Sequence, residues 1–557
     1  MMLRKSHLSM LVVVLFLSIP CFPAVGFGLT CYNWSFETTV SNFSDVNQPI
    51  SIALNASNAP TMASYHKIGD PVPACPTLEN IYWDTDNTWK TIEVSAGECS
   101  RLSSLNVNPT DDRPEMMIVN EVSGGLSFWR HGGINWTIGY GWAGTVTDTE
   151  FTYHPTTNRP GMAFTQNGSL IYSSYDGSSW TDETVDTITL GPALAYTSTG
   201  APTIAYFDNN TLKYAQKNGT WTIATVDNSE VATGDHQTIG LAMDGSDRPH
   251  IAYAVNGKWK YAYYDGASWN VETVGLPSNA LRADIVIAPD NNPYIAYQTG
   301  TDIYFAYRYC GQWILNWFAP GYMSMSNLRV DNTGMLHMAM INATDYSLTY
   351  VKGTPTIMTD GDADGVPDSQ ELPASIDLDG NGTADSVQAN IKTTKTFDNT
   401  KAIGVSYDPA VLDGVVTLLA VDPSTITDMV NRPAELPFGL ITFTLKLKNV
   451  GDEVMFTVHL SDQVATGTTW YKYSVAGGWQ DYSAHSVLNA DGRSFTITAK
   501  DGAHGDADGI QNGVIVDPGG VSGTVVPDTG IPITDPGGGS GSGGGGGGGG
   551  GCFLSAL

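Results

Sequence analysis

The chain has 557 residues and carries 26 Lys plus Arg against 56 Asp plus Glu, a formal charge of −30, which disfavours nucleic acid and anionic lipid as partners. That balance suits cations or neutral ligands such as glycans. The length exceeds one ordinary domain, and a hydrophobic share of 41% excludes a wholly disordered chain.

Residues 1–26 carry Arg4 and Lys5, an apolar run over 8–22, and the small-residue site Ala24-Val25-Gly26. This reads as a secretory signal peptide with cleavage after Gly26. Its removal, with the two cations, takes the formal charge from −30 to −32. In an exported chain Cys31, Cys75, Cys99 and Cys310 read as two disulfides. Three connectivities are open. Positions in the repeats favour Cys75 with Cys99, and Cys31 with Cys310.

Internal repetition comes next. A turn followed by a short β run recurs at Pro60, Pro114, Pro160, Pro202, Pro249, Pro293 and, without the proline, Leu336, at spacings of 54, 46, 42, 47, 44 and 43 residues. This is the period of a four-stranded propeller blade. Each copy ends on a Trp-led strand, at Trp89, Trp136, Trp180, Trp221, Trp269 and Trp313, but the seventh copy ends at Tyr350 without one. A matching strand, Trp34 to Val40, precedes the first copy. The reading is an all-β fold whose first domain, 29–353, is a seven-bladed β-propeller closed by an N-terminal strand. The turns after Tyr175 and Tyr264, each Asp-Gly-x-Ser-Trp, resemble the Asp-box turns of sialidase-type propellers. That resemblance implies fold, not chemistry.

Residues 354–390 form a linker, and between 353 and 390 there are eight acidic residues and no basic ones. Asp360, Asp362, Asp364, Val366, Asp368 and Glu371 occupy the ligand positions of a twelve-residue calcium loop, with Val366 offering its carbonyl. Asp377, Asp379, Asn381, Thr383 and Asp385 repeat the pattern, with Gln388 at the last place. Calcium is the expected cofactor. No helices flank the loops, and the pattern resembles thrombospondin type 3 repeats. The expectation is a strut that, stripped of metal, frees the two β domains to reorient.

Strand patterning resumes over 391–524. Ile441, Phe443, Leu445 and Leu447 alternate against Val454, Phe456, Val458 and Leu460 across a turn, which predicts a β-hairpin. The stretch Trp470 to Tyr482 and the closing run Asp501 to Gly520 resemble the choice-of-anchor U domain of bacterial surface proteins, implying a C-terminal β-sandwich ahead of a sorting signal. The tail, 525–557, is Gly-rich and ends after Cys552, and it reads as a flexible spacer with a truncated sorting signal and a route to envelope attachment.

No nucleophile elbow, zinc motif or phosphate loop occurs, so the chain is expected not to be an enzyme. Replacing Asp148, Glu150, Asp235 or His236 should then abolish no hydrolysis. Arg101, Trp142, Asp235, His236, Arg282 and Tyr322 lie in connections that line a propeller's axial mouth, and are the candidate ligand-binding residues. The favoured function is a secreted or cell-surface binding or adhesion protein with an extracellular ligand, a glycan or a surface protein. An Asp-box-type glycan hydrolase and a structural envelope protein are the alternatives.

Overall fold

A computed structural model describes residues 21–22 and 28–533 apart from 41–49, 67–76, 85–87, 95–99, 121–122, 133–134, 188–189, 230–238, 277–280, 310–311, 361, 363, 427, 475–477 and 528–529. Cys75, Cys99 and Cys310 lie outside the described residues, as does the Gly-rich tail from residue 534 onward with Cys552. So does most of segment 1–26, of which the strand Cys21–Phe22 pairs with Leu29 and Gly28. Cys31 lies in a strand opposite Thr356.

The fold is all-β, and among the described residues six four-stranded antiparallel sheets follow one another along the first 320 residues. Each sheet is built from four consecutive strands, and burial falls from the second strand outward. Pro202–Asp208 is buried over its first six residues, Thr211–Asn218 alternates, and Thr220–Asp227 is mostly exposed. The Pro-led repeats are these second strands. Their small and β-prone residues fit a segment covered on both faces. Trp89, Trp136, Trp180 and Trp269 open fourth strands, and Trp221 and Trp313 stand second in theirs. Their rings pack on aromatic residues of the preceding sheet: Trp221 on Tyr172 at 5.4 Å, Trp269 on Tyr214 at 5.3 Å and Trp313 on Tyr261 at 4.8 Å between centroids. The aromatic series is therefore inter-sheet core.

Carboxylates add a second link between sheets. Asp186, at the end of one fourth strand, accepts from Tyr206 Oη at 2.8 Å and Lys213 Nζ at 2.9 Å of the next sheet. Asp227 does the same for Tyr253 and the buried Lys260. Both acids sit at equivalent bulges, opposite Leu170 and Leu212. One sheet further on, the equivalent place opposite Trp259 is Gly275.

The strand that the last copy lacks comes from the other end of the chain. Gly28–Val40 pairs along its length with Leu348–Thr359, in a sheet that also holds Leu336–Asn342 and Tyr322–Met325. Leu348–Thr359 runs six residues past the expected boundary at 353 and leads straight into the first acidic loop. Trp34 is 1% exposed and stands edge-on to Phe305 at 5.0 Å, and its ring covers Gly353, where a Cβ would come within 2.7 Å of it. First strands lie side by side from sheet to sheet. Ser51–Leu54 neighbours both Ser100–Val107 and Arg329–Val330. Asn327 fastens that last junction, accepting from the Ile52 N–H at 2.8 Å and donating to its carbonyl at 3.0 Å.

Residues 391–521 hold two five-stranded sheets, whose inner faces share a core that includes Ile403, Val405, Phe443, Phe456, Phe495 and Ile515. The predicted hairpin is corrected here. Leu440–Leu447 pairs with Leu412–Val421 and Val514–Val521, whereas Glu453–Leu460 pairs with Ala402–Tyr407 and Ser494–Lys500. The two strands face each other across the core, with Phe443 edge-on to Phe456 at 5.2 Å. Alternation marks which residues point inward, and that is the same whether a turn joins neighbours in one sheet or crosses between two.

These sheets do not hang from a free linker. One continuous apolar cluster runs from Trp34, Tyr294 and Phe305 to Leu419, Leu440, Trp479 and Val514. A second joins Ile510 to Trp259, Tyr304 and Leu315, with Ile510 filling the space over Gly275. The expectation of independently reorienting β domains is corrected accordingly. The loop carrying Ile510 is built on buried carboxylates. Asp501 accepts the N–H groups of Gly451, Asn512 and Gly513, Asp506 those of Gly502 and Val516, and Asp508 that of Ile510 itself. Beneath it Lys472 Nζ lies 2.7 Å from the buried Asp517 and donates to the Gly505 carbonyl at 2.9 Å.

Two expectations follow. Trp34→Ala should destabilise the chain by about 3–5 kcal/mol, the range for a fully buried aromatic, and a thermal midpoint equal to that of the parent would remove the structural role given to Gly28–Val40. Ile510→Asp should loosen the C-terminal sheets from the rest without unfolding either. Limited proteolysis should then cut between residues 353 and 390, and a cleavage pattern unchanged from the parent would refute the docking.

Candidate functional site

Inner strands from six sheets surround a cavity of about 440 Å³, a size that admits a small molecule. Asn106, Glu150, Leu194, Leu241, Asp284 and Arg329 are among its lining residues. Each comes from a first strand or the turn beside one, because those strands stand nearest the axis.

Glu150 and Asp284 are half-buried in the wall. Glu150 accepts the Leu194 N–H at 3.2 Å and Asp284 that of Leu328 at 2.6 Å, so each carboxylate ties its own strand to a neighbouring sheet. Gly240 makes room for Asp284, since a Cβ there would lie 2.8 Å from the Asp284 Cα. Burial, reinforced by the Asp284 charge, pushes Glu150 up to about 7 against the opposing pull of Arg329, the Leu194 N–H and Arg282. Asp284 is also raised, by burial first. Burial lowers Arg282, whose guanidinium donates to the Met325 carbonyl while its charge acts on both acids. Arg329 donates to the Leu328 carbonyl at 3.3 Å.

Of the six residues expected at an axial mouth, Arg282 is not itself in the lining but stands two places before Asp284 on the same strand, and its charge acts on both acids. Trp142 is buried at the outer edge of its sheet, where its indole N–H bonds Asp182 at 3.2 Å and its ring packs on Trp180. Tyr322 packs near Phe36. The backbone of Arg101 pairs with Val119, and Asp235 and His236 lie outside the described residues. The expectation took connections between sheets to be the lining, whereas the lining side chains lie on the strands themselves. Asp284 and Arg329 alternate with apolar neighbours in Arg-Ala-Asp-Ile and Leu-Arg-Val, a charged-inward pattern that could have been read as facing a polar axis.

The acidic loops form two further clusters. Carboxylate oxygens of Asp360, Asp362 and Asp364 lie within 4.8 Å of one another, as do those of Asp377, Asp379 and Asp385. Such oxygen-only sets can hold a hard cation. Asp364 N–H bonds Asp360 and Asp362, and Gly365 N–H bonds Asp360, so the chain wraps around its own carboxylates. Burial, then the surrounding Asp charges, raises Glu371, and burial with Asp379 and Asp377 pushes Asp385 up to about 6. Val366 is buried in the core of the C-terminal sheets, and Gln370 exchanges hydrogen bonds with the Ala420 backbone, so the first loop is fixed to those sheets. In the second, the Gln388 amide bonds Asn381 at 2.7 Å and the Thr383 carbonyl at 3.1 Å.

No protein-family model matches the chain, and no curated protein matches it. Solved structures do. The SapL1 lectin in complex with alpha methyl fucoside is 11% identical with a TM-score of 0.37, over 50% of this chain and 97% of its own. Virginiamycin B lyase from Staphylococcus aureus is 9% identical with a TM-score of 0.39, over 58% and 99%. The Dos1 propeller is 9% identical with a TM-score of 0.36, over 60% and 90%. Likeness this distant carries no function from any of them to this chain. One expectation is corrected. The lack of a familiar catalytic motif does not by itself exclude catalysis, and the exclusion is withdrawn; a lyase stands among the similar structures.

Glu150 gives a pH test. Its carboxyl is raised from 4.5 to about 7, so the folded chain binds the proton more tightly than the unfolded one. This contribution therefore stabilises at low pH and is lost as pH rises between those values. Glu150→Gln keeps an acceptor for Leu194 and should gain about 2 kcal/mol on the parent between pH 5 and pH 8. Urea melts across that range check it, and parallel stability curves would deny the buried acid.

Proposed function

We propose that this is an exported cell-surface ligand-binding protein, with a seven-bladed propeller closed by its N-terminal strand as the recognition module. The observation that carries this reading is the axial cavity with charged groups from several sheets. The ring is supported by the pairing of Gly28–Val40 with Leu348–Thr359 and by the side-by-side order of first strands that returns to Ser51–Leu54. Export is supported by the basic and then apolar start, and envelope attachment by the Gly-rich run before Cys552. The C-terminal unit is read as a β-sandwich of the choice-of-anchor U kind. Screening the full chain against immobilised glycans, surface proteins and small metabolites tests the recognition role. Saturable binding weakened by Arg329→Met is expected, and a chain that binds nothing in any class would sink the reading.

The acidic loops are proposed as two calcium sites of the thrombospondin type 3 kind. The first uses the side chains of Asp360, Asp362, Asp364, Asp368 and Glu371 with the Val366 carbonyl. The second uses Asp377, Asp379, Asn381 and Asp385 with the Thr383 carbonyl. Glu371 can chelate with both oxygens, whereas Gln388 offers one uncharged oxygen and already bonds three of the proposed ligands. Titration calorimetry on the full chain should resolve a tighter and a weaker site, with Asp364→Ala removing the tighter one. No calcium heat at millimolar metal, or an Asp364→Ala variant that titrates like the parent, would leave an acidic linker only. Chelation should lower the thermal midpoint without releasing the C-terminal sheets, because Ile510 and the shared core hold them independently of metal.

A further inference from the structure

The cavity holds charges of both signs, but among the described residues they do not close into contact ion pairs. Glu150 and Asp284 each give an oxygen to a neighbouring backbone N–H, and Arg282 and Arg329 donate to backbone carbonyls. Glu150, Asp284 and Arg329 line the cavity, Arg282 stands beside it, and the charges of these groups act on one another. Facing charges held apart in a half-buried space are each short of a counter-charge.

That arrangement selects a ligand by charge. An anion alone would meet two carboxylates, a cation alone would leave the Arg329 guanidinium unmatched, and a neutral molecule would leave all of these charges unmatched. A molecule bearing both charges matches both sides. An ammonium offers three donors to carboxylate oxygens, and a carboxylate takes the paired N–H groups of a guanidinium. Apolar groups also face the space, the half-buried Leu241 and Met243 among polar neighbours such as Asn106 and Thr152, so part of the ligand's body meets hydrocarbon. A volume of about 440 Å³ admits such a molecule with room to spare.

We propose that the axial cavity binds a small zwitterion of the α-amino-acid class, its ammonium held by Glu150 and Asp284, its carboxylate by Arg329, and its apolar side chain lying on Leu241. This rests on the reading of the propeller as a recognition module and names its ligand class. An ammonium beside Glu150 favours the ionised acid, so binding should strengthen as pH rises through about 7 and release protons. The charged groups that set this response are Asp284, Arg282 and Arg329.

The experiment is equilibrium dialysis of the full chain against an equimolar mixture of the common L-amino acids, followed by calorimetry with L-leucine. Leucine serves as the probe, with 4-methylpentanoate and isopentylamine as its single-charge analogues. Retention of apolar amino acids is expected, with each analogue at least about tenfold weaker than leucine and Arg329→Met weaker by about the same factor. Glu150→Gln should weaken leucine less and abolish the proton release, seen as heats that no longer depend on the buffer. Circular dichroism melts show that the variants are folded, and the analogue comparison on the parent chain needs no variant at all. Retention of no amino acid, analogues that bind as well as leucine, or folded variants that bind like the parent would each overturn the proposal. If the chain meanwhile captures a glycan or protein, and capture survives Arg329→Met, only the cavity assignment falls. If it captures nothing, the recognition reading falls with it.

Discussion

Open sheet edges are the constraint on which the rest of this structure depends. A row of twisted sheets packed face to face leaves an uncovered face at each end and an unpaired edge on its last member, and both invite other chains to pair. Here the last sheet is completed by residues from the opposite end of the chain. The pairing of Gly28–Val40 with Leu348–Thr359 brings Ser51–Leu54 beside the final first strand, where Asn327 acts as an extra stretch of backbone in bonding Ile52. Everything at the axis follows from this, because Asn106 and Arg329 lie on opposite sides of that junction and can share a cavity only when it is made.

Sheet-to-sheet contacts are repetitive but not uniform, and the departure from uniformity marks where something else happens. Asp186 and Asp227 each reach the next sheet's tyrosine and lysine. The third place in that series is Gly275, whose missing side chain leaves a recess that Ile510 enters. The carboxylates of Asp501, Asp506 and Asp508 bind the backbone of the loop carrying Ile510, and the Lys472–Asp517 pair lies under it. A buried ion pair contributes little net stability, but loss of either partner is costly, so this one acts chiefly to hold a single loop geometry. The closing motif of the C-terminal unit is thus a docking element.

Much of the fold was legible because repetition reports itself. The Pro-led second strands, the Trp residues at the fourth strands and the displaced strand at Trp34 are local patterns repeated at a fixed period, and the structure carries them where they were expected. The partnering of strands was less legible. Leu440–Leu447 and Glu453–Leu460 have the alternation of a hairpin yet belong to different sheets, since alternation encodes which side faces the core and not which neighbour supplies hydrogen bonds. The site was the least legible of all. Glu150, Asp284 and Arg329 are separated by up to 179 residues, and nothing local marks them as sharing a space. The acidic loops differ in this respect, because a calcium loop is contiguous and its ligand positions can be counted along the chain.

The strand Leu348–Thr359 belongs to two structures at once, lying between Gly28–Val40 and Leu336–Asn342 at one end and running directly into the Asp360 loop at the other. A pulling force applied beyond residue 360 would therefore act along this strand's own axis. Its hydrogen bonds to both neighbours lie across that axis, so they would be loaded together in shear and not opened one after another like a zip. Such a geometry yields only when many bonds fail at once. Tension between the first domain and the C-terminal sheets would therefore pass through a strand paired along its length with Gly28–Val40.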